Sequence, residues 1–184
     1  MSFFSKLIAP YRKGEKNLER GRAAEIRRDF KAAEEYFRVA ANAFDEHITK
    51  KKDEGQEARP SHLVMAGICY TRVGRFEDAL RVLDECIDRK DIPDAFLHAG
   101  YAAAKQGNAD RAVKYWTGYP SGADQRVIAN VLKEQIDLIR SRKTPNLQAA
   151  CEAVAQAIFS QDMENSKNKN FSPYKPTNPP KRGY

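Results

Sequence analysis

His47, His62 and His98, together with Cys69, Cys86 and Cys151, are the residues through which this chain could hold a metal or run nucleophilic chemistry. A structural zinc site needs ligands paired a few residues apart, as in CxxC, so that one turn presents two at once. None of the six has such spacing, and no Asp or Glu stands at ligand distance along the chain to complete a set. The three cysteines read as reduced, small core residues of a reducing compartment, with a redox or metal role as the alternative. No glycine-rich phosphate loop is present; the glycines punctuate helices. The many Asp and Glu residues fall on polar helix faces, and nothing singles out a pair for general acid–base work. The sequence is therefore read as non-enzymatic, with no cofactor and no metal.

What must position any functional residue here is a phrase written twice, 33 residues apart. Ala66–Leu80 reads AGICYTRVGRFEDAL and Ala99–Val113 reads AGYAAAKQGNADRAV. Ala66/Ala99, Gly67/Gly100, Gly74/Gly107 and Ala79/Ala112 coincide. Leu63, Ala66, Gly67, Cys69, Tyr70 and Val73 recur every three to four residues, as one helix face should. Gly74 ends that helix, since glycine takes the left-handed C-terminal conformation freely. A second helix follows with Phe76, Ala79, Leu80, Leu83 and Ile87 inside. In the next copy Pro93 opens a helix, Gly107 stops it, and Asn108 caps the partner that carries Ala112 and Trp116. Gly67 and Ala79 are small because two antiparallel helices must approach there.

This pattern resembles the tetratricopeptide repeat family, whose unit is a helix–turn–helix of about 34 residues. The resemblance covers two repeats well, with Gly67, Ala79, Gly100 and Ala112 at the small positions and Leu63, Tyr70, Leu83, Phe96 and Trp116 at large ones. Ala103 stands where the family usually has Tyr. A divergent third copy lies upstream: aligning Phe30–Ala33 with Phe76–Ala79 sets Gly21 opposite Gly67 and Phe37 opposite Leu83. Its extra residues fall near His47–Arg59, read as an extended helix end and a loop. Phe30, Ala33, Phe37, Ala40, Phe44 and Ile48 form its apolar stripe. Two further helices, Asp124 to about Arg142 and Pro145 (capped by Thr144) to about Met163, make a degenerate repeat or capping pair.

The expected fold is thus all-α: a helix-turn-helix repeat solenoid of about three repeats plus a capping pair. Residues 1–13 form an amphipathic segment, 14–163 the repeat domain, and 164–184 a basic disordered tail rich in Pro, Asn and Lys. The net charge is +7, and five of those charges stand in residues 165–184, which hold no acid. The body is nearly balanced, which argues against a basic groove across the domain. No apolar run approaches a membrane span and no secretory signal is read; the expected location is cytoplasmic, with an organellar matrix as the alternative.

The family resemblance implies a concave face lined by the first helix of each pair. Its exposed positions would be Val64, Ile68, Thr71 and Arg72, then Leu97, His98, Tyr101, Ala104 and Lys105, with Leu18, Arg22 and Glu25 in the divergent copy. Members that clamp a carboxylate tail place Lys, Arg and Asn there, whereas this chain has Val64, Ile68 and Tyr101, so that function is not carried over. The expected function is an adaptor or assembly subunit whose partly apolar groove takes a partner helix or peptide. The competing reading of the same residues is that they pack internally or are covered by the chain's own termini. A different function, subunit of a ribonucleoprotein or other large complex, would use the tail, where Lys167, Lys169, Phe171, Tyr174, Lys175, Lys181 and Arg182 mix cations with aromatics. Phe3, Phe4, Leu7 and Ile8 form an apolar N-terminal patch, read as a capping helix, with partner docking or a membrane surface as alternatives.

Overall fold

Proline opens the first helix of each hairpin, where its fixed φ suits the helix and its missing N–H is not needed. The computed structural model describes residues 9–120 and 125–171, with side chains as far as 167. In it Pro10, Pro60 and Pro93 begin α1 (Pro10–Ile26), α3 (Pro60–Arg72) and α5 (Pro93–Lys105). Their partners are α2 (Phe30–Asp53), α4 (Phe76–Arg89) and α6 (Ala109–Thr117), followed by α7 (Arg126–Ser141) and α8 (Leu147–Phe171). All eight are α-helices, and no strand occurs among the described residues. None of these helices is long and apolar enough to cross a membrane. The patch Phe3–Ile8 and the tail residues Tyr174, Lys175, Lys181 and Arg182 lie outside the described residues.

The three hairpin turns are built alike. In each, a residue just past the first helix takes a left-handed conformation, and the next N–H closes back onto a carbonyl five residues earlier. These bonds are Asp29 N to Ala24 O at 3.0 Å, Arg75 N to Tyr70 O at 2.8 Å and Asn108 N to Ala103 O at 2.9 Å. The left-handed residue is Gly74 (φ 77°) and Gly107 (φ 79°) in two turns, but Arg28 (φ 61°) in the first. A side chain there costs on the order of 1 kcal/mol relative to glycine. Asp29 and Asn108 then cap α2 and α6, accepting from Ala32 N and Arg111 N.

Packing within each hairpin also follows one rule, a glycine seated under a large residue sixteen positions later. A Cβ on Gly21 would lie 2.6 Å from the Phe37 ring, one on Gly67 2.5 Å from Leu83, and one on Gly100 2.3 Å from Trp116. Trp116 is held there by its indole N–H, which donates to Leu97 O at 3.2 Å. Between hairpins, Asp45 of α2 receives both Arg75 guanidinium nitrogens (2.7 and 3.1 Å) and the Tyr70 hydroxyl (2.7 Å). Asp84 of α4 repeats the arrangement with Arg111 and Tyr115. Cys69, Cys86 and Cys151 are free and buried, and burial pushes the Cys69 thiol up to about 12.

Three expectations need correction. Phe30 does not join the α2 stripe; it is 65% exposed, while Ala33, Phe37, Ala40 and Phe44 are buried. The last helix starts at Leu147, after Asn146 accepts from Ala149 N at 3.0 Å, so Thr144 and Pro145 lie ahead of it. It runs on to Phe171, which sets Lys167, Lys169 and Phe171 on a helix past the boundary expected at 163.

Candidate functional site

The first helices α1, α3 and α5 pack side by side, and α8 returns from α7 to rest on α5 and α1. Cys151 Sγ approaches Tyr101 O at 4.0 Å, and Lys105 Nζ donates to Gln148 at 3.2 Å, which fixes the α5 end of α8. Val154, Ala157 and Ile158 are buried further along. The face expected to form an open groove therefore carries a helix of the same chain. Accordingly Val64, Ile68, Thr71, Leu97, His98, Ala104 and Leu18 are buried, contrary to the exposure expected of them. Only Arg72, Tyr101, Lys105, Arg22 and Glu25 keep partial access. Packing of first helix on first helix, together with α8, accounts for the difference.

Polar groups on this side are tied to one another. Thr71 Oγ1 donates to Ile68 O at 2.8 Å and so accepts from His98 Nδ1 at 3.3 Å, linking α3 to α5. His98 is buried there, which pushes its pKa well below the usual histidine range and makes it a neutral tie. Arg72 Nε lies 3.1 Å from Glu25 Oε1, and Arg22 reaches Asp94 at 4.0 Å. Burial raises the carboxyl pKa of Glu25 and Asp94, and the Asp162 charge on α8 raises both further. Two carboxylates thus face two guanidiniums here, with the Asp162 charge of α8 acting on both acids.

Between α8 and the α1–α3 end an opening of about 500 Å3 remains, lined by Glu25 and Glu152, Arg28 and Arg72, and Phe30 and Phe159 among others. Arg72 Nε is, among the described residues, a buried side-chain donor whose N–H is not aligned on any acceptor. Sequence reasoning missed Arg28 and Phe159. The signal for Arg28 was available, since it stands where Gly74 and Gly107 stand in the other turns.

A second cluster is one that linear spacing hid. His47 and His62, expected to lie apart, meet through Nε2 and Nδ1 at 2.9 Å. The Tyr11 ring stacks on His62 with centroids 4.9 Å apart, and Glu15 lies 4.0 Å from His62 Nε2. They meet because α2 runs for 24 residues against 14 in α4, so that its extra turns carry His47 beside the start of α3. Burial lowers both imidazole pKa values; His47 is lowered further by the charge of His62, and Lys51 and Arg59 act in the same direction while Glu15 and Glu54 oppose.

With folded pKa values below the unfolded 6.5, the native state binds fewer protons than the unfolded chain. Stability contributed by His47, His62 and His98 is therefore complete above about pH 6.5 and is lost as pH falls toward the lowered folded values. Thermal melts from pH 7.5 to 5 should show a falling Tm, and His47→Gln with His62→Asn should flatten part of that slope. A slope unchanged by the pair would assign it to other groups.

No protein-family profile, no curated protein and no solved structure matches the chain.

Proposed function

We propose that this chain is a tetratricopeptide-like interaction module, a non-enzymatic adaptor or assembly subunit that works through the face formed by α1, α3 and α5. The observation that carries the reading is the threefold recurrence of one joint, Gly21 under Phe37, Gly67 under Leu83 and Gly100 under Trp116. Each hairpin leaves a first-helix face that it cannot bury alone, so stacking neighbours makes a continuous surface. Most of that surface is covered here by α8, and the opening at Arg72, Phe30 and Phe159 is where a partner segment gains access. Support for binding over chemistry comes from what the polar groups do: Thr71 and His98 hold one another, and the acids are engaged with Arg22 and Arg72.

Site-specific photocrosslinking in native lysate tests this. A benzophenone amino acid at Phe30 or Gln156 should give a discrete protein adduct that Arg72→Glu abolishes. The same probe at Leu138, an exposed position on α7, should give none. Adducts from Leu138 alone, or equal labelling from every position, would remove the adaptor reading of this face.

A further inference from the structure

Positive charge is spread unevenly over the hairpins. Residues 12–31 hold eight Lys and Arg against four Asp and Glu, whereas residues 32–164 hold eighteen against twenty-one. The folded body thus owes its surplus to α1 and the turn after it. At about 100° per residue, Arg12, Lys13, Lys16, Arg20 and the capping residue Arg27 share an arc of roughly 100° on α1, with only Ala23 among them. All five are exposed, and none forms an ion pair among the described residues. On α4, by contrast, Arg81 and Arg89 are paired with Asp78 and Glu85.

The four acids of this stretch do not neutralise the arc. Glu15 turns to His62 at 4.0 Å, Glu25 to Arg72 at 3.1 Å, and Asp29 caps α2, while Glu19 stands at the border. The arc lies clear of Gly14, Leu18 and Gly21, the row that α1 buries. Beside it the face continues onto α2 through Tyr36, half-buried with its ring 5.9 Å from the Arg20 guanidinium, and through Val39, 38% exposed. The exposed acids Glu35 and Glu46 fall further round α2. From Arg12 to Arg27 the row runs about 22 Å along one straight helix.

We propose that the outer face of α1 docks on an anionic membrane surface. Arg12, Lys13, Lys16, Arg20 and Arg27 meet lipid headgroups, which attract Lys and Arg held close to them. Stable attachment of this kind needs a second, apolar signal. The sequence supplies one directly ahead of Pro10, where Phe3, Phe4, Leu7 and Ile8 stand with Lys6 and no acid. A nucleic acid would meet the same cations but leave Val39 and those apolar residues without a use, and base stacking needs open aromatic faces that the half-buried Tyr36 lacks. The opening beside α8 plays no part in this contact, so the vesicle and crosslinking results stand apart.

Co-sedimentation of the purified full chain with vesicles tests this, using phosphatidylcholine alone and phosphatidylcholine mixed with phosphatidylserine. Binding is expected to the mixed vesicles only. Each Lys or Arg near such a surface is worth about fivefold, so Lys13→Gln with Arg20→Gln should weaken binding by about 25-fold. Both side chains are exposed, so the Tm should not move, which separates a contact role from a structural one. Lys175→Gln with Lys181→Gln should cost less, and a larger loss there overturns the proposal in favour of the tail. Phe3→Ser with Phe4→Ser should weaken binding as well; an unchanged affinity would leave charge alone at the surface and overturns the lipid assignment. Equal binding to phosphatidylcholine alone, unchanged binding in the α1 pair, or no binding at all also overturns it. So does an oligouridylate bound as tightly as the mixed vesicles and lost in the same α1 pair, which would make this face a nucleic-acid site.

Discussion

Gly100→Leu should cost at least about 3 kcal/mol and leave the chain largely unfolded at 37 °C. Overpacking a filled core forces off-rotamer side chains and backbone shifts worth about 1–3 kcal/mol, and more when nothing can move. Here the first added carbon would already lie 2.3 Å from the Trp116 ring. Trp116 is 2% exposed and bonded to Leu97 O, so a large and pinned side chain would have to give way. Even Gly100→Ala should destabilise, although alanine gains about 1 kcal/mol of helix propensity over glycine. Gly67 offers the paired test, since its clash is with Leu83, an aliphatic side chain. Gly67→Ala alone should lower stability, and Leu83→Ala alone should leave a cavity. The double variant should be more stable than the sum of the two predicts, because each relieves the other. Urea unfolding of the four chains measures this, and strict additivity would mean that the glycine does not serve the close approach.

The same glycines mark how far the sequence could be read. Gly67, Gly74, Gly100 and Gly107 each have a local cause, a close crossing or a left-handed turn, and local causes leave a trace in residue type. Pro93 and Asn108 are legible for the same reason. The pairing of Gly21 with Phe37 was legible because its interval of sixteen residues repeats that of Gly67 with Leu83 and of Gly100 with Trp116. Long-range events left no such trace. His47 and His62 touch because the length of α2 and the turn after it bring two helices into register, which neither residue type declares. The return of α8 onto α5 and α1 depends on how α7 leaves α6. The stripe of Ala150, Cys151, Val154 and Ala157 shows that α8 packs on something, and does not say on what. Phe30 misled because aromatic type and helical spacing look alike for a core position and for a surface anchor. Asn146 replaced Thr144 as the cap since either could start the helix, and backbone geometry chose.

Val154→Asp should unseat α8 while leaving the three hairpins folded. Val154 is fully buried on the face of α8 that meets the rest of the chain, and a carboxylate there would be desolvated without a partner. The hairpins hold their own joints through Phe37, Leu83 and Trp116 and through the ties of Asp45 and Asp84, none of which involves α8. Thiol labelling reads the difference. In the native chain all three cysteines are buried and should react slowly, since reagent reaches only opened states. In Val154→Asp, Cys151 should react faster by about tenfold or more, as its shelter is the contact of α8 with Tyr101. Cys86, on α4 against Lys90 O, should keep its native rate. Selective exposure of Cys151 would mean that α8 is a separable cover over the face on which the adaptor reading depends. Equal acceleration at Cys86 would mean that α8 is part of one cooperative core, and a partner would then be confined to the opening beside Phe30.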